Sequence, residues 1–185
     1  EMCIRDRNNS ELVAIYGNFA NRVLSLIKKY YDGKIPKVES KNRVDELVLE
    51  DVKVLKEEIE SNLDSFKFRE ATKNLMNIAR IGNKYLAETE PWKIKESDPL
   101  RVEQILHTSF IIISYLAIVS EPFLPFTSVK LKNMIGLNDY SWDDLDKIFG
   151  TLNYNFTIVD IVILFKRIED SEIEYQIDKL KKSAN

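Results

Sequence analysis

Fifteen consecutive residues, Ile105 to Val119, form the most apolar stretch of the chain, and they constrain its fold more than any other feature. Ser97-Asp98-Pro99 precedes the run as a cap followed by proline at the first helical position, and Pro122 and Pro125 close it, so the spacing predicts a helix ending near Ser120. Such a helix needs protein around it. The run also carries His107, Thr108, Ser109 and Ser114 and falls short of the roughly 20 residues a membrane span requires, so it reads as a central core helix, with no membrane among the expected partners. Only 5 glycines and 5 prolines occur in 185 residues, which disfavours turn-rich β architectures; a hydrophobic content of 44% suffices for one all-α domain.

Further helices follow from periodicity. Leu12, Tyr16, Phe19, Val23, Ile27 and Tyr30 share one helix face, with Asn9 or Ser10 as N-cap and Asp32-Gly33 as stop. A polar connection, Lys34 to Arg43, leads to two long amphipathic helices, Glu46 to Phe66 and Phe68 to Ala87, expected to pack antiparallel. Beyond the core helix, Thr127 or Ser128 is read as the cap of a short helix to Asn133, and Ser141 as the cap of another through Phe149. Ile158 to Phe165 is compatible with a short buried helix or an extended segment. The last helix, Ser171 to Lys182, has apolar residues only at Ile173, Tyr175, Ile177 and Leu180, and is expected to dock on the outside of the bundle or on a partner. The chain opens on Glu1 rather than Met, and Glu1 to Arg7 shows no periodicity. Residues 1–7 are therefore expected to be an extraneous or disordered leader, 8–150 the helical bundle, and 151–185 an extension of the same domain.

Enzymatic constellations are missing from the pattern. The five glycines stand singly at 17, 33, 82, 136 and 150, so no phosphate-cradling loop or nucleophile elbow is present. Glu88 and Glu90 lie two apart on a helix end and face different directions, which suits solvated surface. His107, the single histidine, reads as a core or interface residue. Cys3, the single cysteine, excludes an internal disulfide framework and fits a reducing compartment such as the cytoplasm. No catalytic residue, metal site or cofactor is expected in this chain.

Binding features are more informative. At about 100° per residue, Asn18, Arg22, Ser25 and Lys29 fall in one polar stripe opposite the Tyr16-Phe19-Val23 face. An asparagine with an arginine one turn later offers fixed donors and an amide acceptor, a set suited to phosphates and the edges of splayed bases. Glu90-Pro91-Trp92-Lys93 places a tryptophan on the loop after the third helix, where an indole either staples helix ends or stacks on a base. The net charge of −3 argues against whole-chain attraction to nucleic acid, and no DNA partner is expected, yet charge is segregated. Residues 11–43 carry seven basic and three acidic side chains, 44–64 two basic and eight acidic, and 67–95 seven basic and three acidic. The stripe and Trp92 both lie on basic segments, which permits a local RNA footprint.

Three blocks in order, Gly17-Asn18-Phe19-Ala20-Asn21-Arg22, Ala79-Arg80-Ile81-Gly82-Asn83-Lys84-Tyr85 running into Glu88-Thr89-Glu90-Pro91-Trp92-Lys93, and Glu121-Pro122-Phe123-Leu124-Pro125-Phe126-Thr127, resemble the anticodon-binding domain of the methionyl-tRNA synthetases. The resemblance spans about Asn8 to Lys182 and weakens after Asn133. It implies an anticodon-binding helix bundle of the class I aminoacyl-tRNA synthetases that reads the CAU anticodon of methionine tRNA. By position it implies that Asn18, Arg22 and Trp92 contact the anticodon, with the first base stacked on Trp92; Lys29, Pro91 and Lys93, their neighbours on the same segments, are expected as accessory RNA contacts. Ala14 departs from members with a polar residue one turn before the asparagine.

The family's catalytic domain, its HIGH and KMSKS signatures and the cysteines of its zinc-binding insertion have no counterpart here. The resemblance therefore assigns ATP with magnesium, and zinc, to a catalytic part of a longer methionine–tRNA ligase. That catalytic domain is an expected partner within one polypeptide, together with the tRNA anticodon loop, and Phe165 to Lys182 resembles the stretch leading toward an additional C-terminal module. Two alternatives stand beside this reading: the anticodon domain of a valine, leucine, isoleucine or cysteine synthetase, and a helical scaffold without RNA, in which Trp92 would pack internally.

Overall fold

The computed structural model describes residues 2–145 and 157–183. Helices dominate, and among the described residues the β pairing is one isolated antiparallel bridge, Lys34 to Thr157. Helix α1 (Met2–Arg7) runs into a π-wound stretch (Asn8–Gly17), which runs into α2 (Asn18–Tyr31). Then follow α3 (Arg43–Asp64), α4 (Phe68–Thr89), the single turn α5 (Pro91–Ile94), α6 (Pro99–Val119), α7 (Pro125–Ile135), a 3-10 turn (Trp142–Asp144) and α8 (Asp170–Ser183).

Helix α6 is the axis. Every residue from Ile105 to Val119 is buried, with α2, α3, α4 and α7 packed around it. By length and composition it could span a bilayer, but here protein covers it. Its polar side chains are absorbed locally: Ser109 and Ser114 donate to the carbonyls of Ile105 and Phe110 at 2.8 and 2.7 Å. The Tyr16 hydroxyl, buried against α6, meets Ser120 Oγ at 3.0 Å. Burial drives the Tyr16 pKa upward, so the phenol stays neutral.

The helix boundaries have identifiable causes. Asn42 and Asp45 form a reciprocal capping box at the start of α3, and Asp98 Oδ1 accepts the Arg101 N–H at 3.0 Å to start α6. Asp32 in the left-handed region (φ 54°) ends α2. A three-residue turn joins α3 and α4, which makes them antiparallel; there Phe66 adopts φ 57° with its side chain 80% exposed.

Several expectations need correction. The leader is not aperiodic coil: Met2–Arg7 is helical, held by an ion pair from Arg5 to Asp170 and by Ser10 Oγ donating to the Asp6 carbonyl. Neither Asn9 nor Ser10 caps a helix, because the helix continues through both with π winding. Asn9 spends its amide on another segment, donating to Ile168 O at 2.9 Å and accepting from Ile168 N at 2.9 Å. Pro125 does not only stop α6; it is the first residue of α7, and Ser128, rather than capping, donates to Ala117 O at 2.7 Å. Ser141 does form a capping box with Asp144, and the expected continuation to Phe149 lies outside the described residues.

Ile158 to Phe165 resolves as extended backbone and only Ile158 is fully buried. With the residues on either side it forms a strap running antiparallel along the N-terminal helix: Thr157 at Lys34, Val159 O accepting from Lys28 Nζ at 3.3 Å, Phe165 edge-on to Tyr16 with ring centroids 5.4 Å apart, Lys166 O at Asn8, Ile168 at Asn9 and Asp170 at Arg5. Gly17 gives Phe165 its seat, since a Cβ there would lie 3.3 Å from the ring.

Candidate nucleic-acid interface

The site is set by how closely α2 and α4 approach. A Cβ on Gly82 would lie 2.3 to 2.6 Å from three ring carbons of Phe19, so only glycine lets the fully buried Phe19 ring lie against α4. That contact brings the neighbours of Phe19 and Gly82 together: Asn18 Nδ2 donates to Asn83 Oδ1 at 3.0 Å. Asn83 is itself anchored, donating to Ile15 O at 2.9 Å and to Ala79 O at 3.0 Å.

At the far end of α4, Glu90 turns left-handed (φ 40°) and Pro91, buried, opens the single turn α5. Trp92 therefore sits on a helical turn rather than on a loop, directly after the proline that opens it. Trp92 is 39% exposed, and the Arg22 guanidinium lies 5.1 Å from the ring centroid. A cation over an exposed indole contributes about 0.5–1 kcal/mol. Arg22 and Trp92, 70 residues apart in sequence, thus form one ledge. The polar stripe stands as the spacing indicates: Asn18, Ser25 and Lys29 are exposed and Arg22 is half-buried, while Phe19, Val23 and Ile27 are buried on the other side.

The remaining candidates divide. Lys93 Nζ is 2.9 Å from Glu90 and already has a carboxylate partner. Pro91 is buried and so is turned away from solvent. Lys29 Nζ lies 5.7 Å from the Tyr30 ring centroid and Lys95 Nζ 4.5 Å from the same ring, so Tyr30 gathers one lysine of α2 and one at the end of α5. The spacing pattern missed three contributors. Asn83 acts through another side chain, Gly82 acts through what it lacks, and Tyr30 looks like the end of a core stripe. Glu88 lies 3.8 Å from Lys84 on the surface.

Below the ledge, Asp45 is fully buried and takes a bidentate grip from Arg101 (2.6 and 2.8 Å) and a hydrogen bond from the Tyr85 hydroxyl (2.5 Å). Burial alone would push this carboxyl up, but the Arg101 and Tyr85 hydrogen bonds outweigh it and hold Asp45 below its ordinary value. His107 is buried with Nδ1 2.9 Å from Pro36 O, and burial pulls its pKa down. These groups brace the connection 34–42 against α6. Among the described residues no three His, Cys, Asp or Glu side chains gather as a metal site.

Comparison with known proteins bears on this geometry. Residues 35–183 match the family described as the anticodon binding domain of methionyl tRNA ligase. A methionine–tRNA ligase of Phocaeicola vulgatus is 47% identical over 97% of this chain and 26% of its own length. That of Cytophaga hutchinsonii is likewise 47% identical, over 97% and 26%. The chain thus spans about a quarter of the length of the curated relatives it matches. Apo Mycobacterium tuberculosis methionyl-tRNA synthetase shares the fold, with a TM-score of 0.84 at 23% identity, over 91% of this chain and 35% of that one.

Proposed function

Since the chain belongs to the family of anticodon-binding domains of methionyl-tRNA ligases, we propose that its Asn18, Arg22 and Trp92 read the CAU anticodon of methionine tRNA. One observation carries this reading: Arg22 and Trp92 meet at 5.1 Å on an exposed ledge, next to an exposed Asn18. Unstacked loop bases are recognised by aromatic faces and by hydrogen bonds to their edges, and stacking on an aromatic side chain is worth about 1–3 kcal/mol per base. The indole supplies the face and Arg22 supplies donors beside it. Lys29 and Lys95, clustered at Tyr30, supply cations for the flanking phosphates. An internal scaffold role suits Trp92 poorly, because its indole is left half in solvent with a cation over it.

By this proposal the domain serves a longer enzyme of the cytoplasm that joins methionine to its tRNA with ATP, the catalytic chemistry residing elsewhere in that polypeptide. This domain's task is to hold the anticodon, so it performs no bond-making step.

The test is a fluorescence titration of Trp142→Phe, which leaves Trp92 as the sole tryptophan. Trp142 donates to Glu60 away from the ledge, so circular dichroism checks the fold of the variant. An RNA hairpin with a CAU loop should quench Trp92 at lower concentration than a one-base variant. Trp92→Ala and Arg22→Ala should weaken binding and leave thermal stability nearly unchanged. Equal response to both hairpins by a folded protein refutes the proposal.

A further inference from the structure

Asparagine amides can point either way, and which end faces outward decides what a base must offer. Here the network fixes it. Asn83 faces two main-chain carbonyls, those of Ile15 and Ala79, at 2.9 and 3.0 Å. Carbonyl oxygens only accept, so the amino end of Asn83 must be the end turned toward them. Its Oδ1 is then turned toward Asn18, and an oxygen at 3.0 Å requires the amino end of Asn18 in return. What remains on Asn18 is Oδ1, on an exposed side chain, accepting no hydrogen bond among the described residues.

The π winding contributes the first link. In the Asn8–Gly17 stretch the ladder is loosened, and the Asn18 N–H is shared between the carbonyls of Val13 and Ile15. The Ile15 carbonyl, with two lone pairs and only part of one donor, has capacity for the Asn83 amino group.

We infer that Asn83 is a positioning residue that locks Asn18 with its oxygen outward, so that the ledge selects a base carrying an exocyclic amino group over one carrying a carbonyl at that place. This rests on the reading that Asn18, Arg22 and Trp92 bind an anticodon base. Cytosine presents an amino donor at C4 and acceptors on the rest of its pairing edge, and uracil replaces that donor by an oxygen. An outward acceptor from Asn18 beside the guanidinium of Arg22 complements cytosine. Reversing the Asn18 amide would set its amino group against the cytosine amine and favour uracil. The relay Ile15 carbonyl, Asn83, Asn18 thus converts a backbone feature of one helix into discrimination at the first anticodon position.

The experiment compares hairpins with CAU, with UAU, and with pyrimidin-2-one in place of the cytosine, which removes only the amino group. With the parent Trp142→Phe protein, pyrimidin-2-one should bind about tenfold more weakly than cytosine, in line with a single well-formed base-edge contact. Asn83→Ala and Asn83→Leu should bring that ratio close to one while Trp92 is still quenched at saturation, a change that weaker packing alone would not produce. Asn18→Leu, which removes the outward oxygen, should likewise abolish the ratio.

Selective CAU binding with a ratio of one in the parent, an unchanged ratio in Asn83→Ala, or an unchanged ratio in Asn18→Leu each overturns the inference while leaving the anticodon reading in place. If no hairpin quenches Trp92, the anticodon reading itself fails and takes the inference with it. Should the Asn83 variants not fold, a ratio of one in the parent or an unchanged ratio in Asn18→Leu still overturns the inference.

Discussion

Substituting Gly82 by alanine tests the packing on which the ledge depends. In the middle of an exposed helix this change stabilises by about 1 kcal/mol, since glycine has the greater backbone freedom to lose. Here the added Cβ would lie 2.3, 2.5 and 2.6 Å from three carbons of the Phe19 ring, against ordinary contacts beyond 3.4 Å. Phe19 is fully buried, so the ring has no solvent to retreat into and α2 must move off α4. Overpacking of a closed core costs about 1–3 kcal/mol, and simultaneous overlap with three ring atoms puts this case near 3. Subtracting the helix gain leaves a loss of about 2 kcal/mol, or a fall of about 4–8 °C in Tm for a chain of this size. Circular dichroism at 222 nm reads the melt. Adding Phe19→Leu, which removes the far ring atoms, should recover part of the loss, so that the two single effects fail to add by about 1 kcal/mol or more. Because Asn18 and Asn83 flank the contact, Gly82→Ala should also weaken CAU hairpin binding. A melting temperature equal to or above that of the parent, or strictly additive losses, would refute the reasoning.

Further outcomes are expected. The folded-state pKa of Asp45 lies below its ordinary 3.8, so its stabilisation is complete above that pH and is lost as pH falls through the folded value; Asp45→Asn should cost about 3 kcal/mol at pH 7 in urea unfolding and flatten the acid limb. The His107 pKa is also depressed, so stability should begin to fall as pH drops below about 6.5, and His107→Gln should shift the onset of that loss to lower pH. Phe66→Gly removes a left-handed phenylalanine whose side chain is mostly in solvent, and should raise stability by up to about 1 kcal/mol, seen as a higher Tm. The double change Lys29→Gln and Lys95→Gln should make the salt dependence of log Kd for the CAU hairpin shallower by about 1.4, some 0.7 for each phosphate no longer neutralised, with base preference intact.

What was legible in the sequence follows from which forces act locally. Helix α6 could be read because its apolar content leaves only one environment for it, and its Ser-Asp-Pro start is a backbone requirement met within three residues. The α3 and α4 pair and the left-handed stop at Asp32 belong to the same class. Asn18, Arg22 and Lys29 on one face follow from helical geometry alone, and the resemblance added Trp92 to them. The rest depends on distant partners. Asn9 has the chemistry of a cap, but Ile168 claims both ends of its amide, and no window around Asn9 contains Ile168. Pro125 ends one helix and begins the next, and composition does not separate the two roles. Leu12 and Tyr16 keep the apolar spacing of a helix, so nothing in the pattern marks residues 8–17 as π-wound. Asn83 has the chemistry of a surface polar residue until α2 is placed beside it.

The strap from Thr157 to Asp170 fixes how the molecule bears mechanical load. Its attachments, at Arg5, Asn9, Tyr16 and Lys28 along the N-terminal helix and at Lys34 just beyond its end, lie in series on a segment that runs the opposite way. Tension applied outward at Met2 and Asp170 therefore reaches the Arg5 ion pair first and each later attachment only after the one before has parted. The strap unzips at the strength of single attachments, whereas a pull along the strap from Thr157 would load all of them at once, in shear. One direction of force peels the helix carrying Asn18 and Arg22 free of its strap step by step, and the other meets the joint resistance of the whole row.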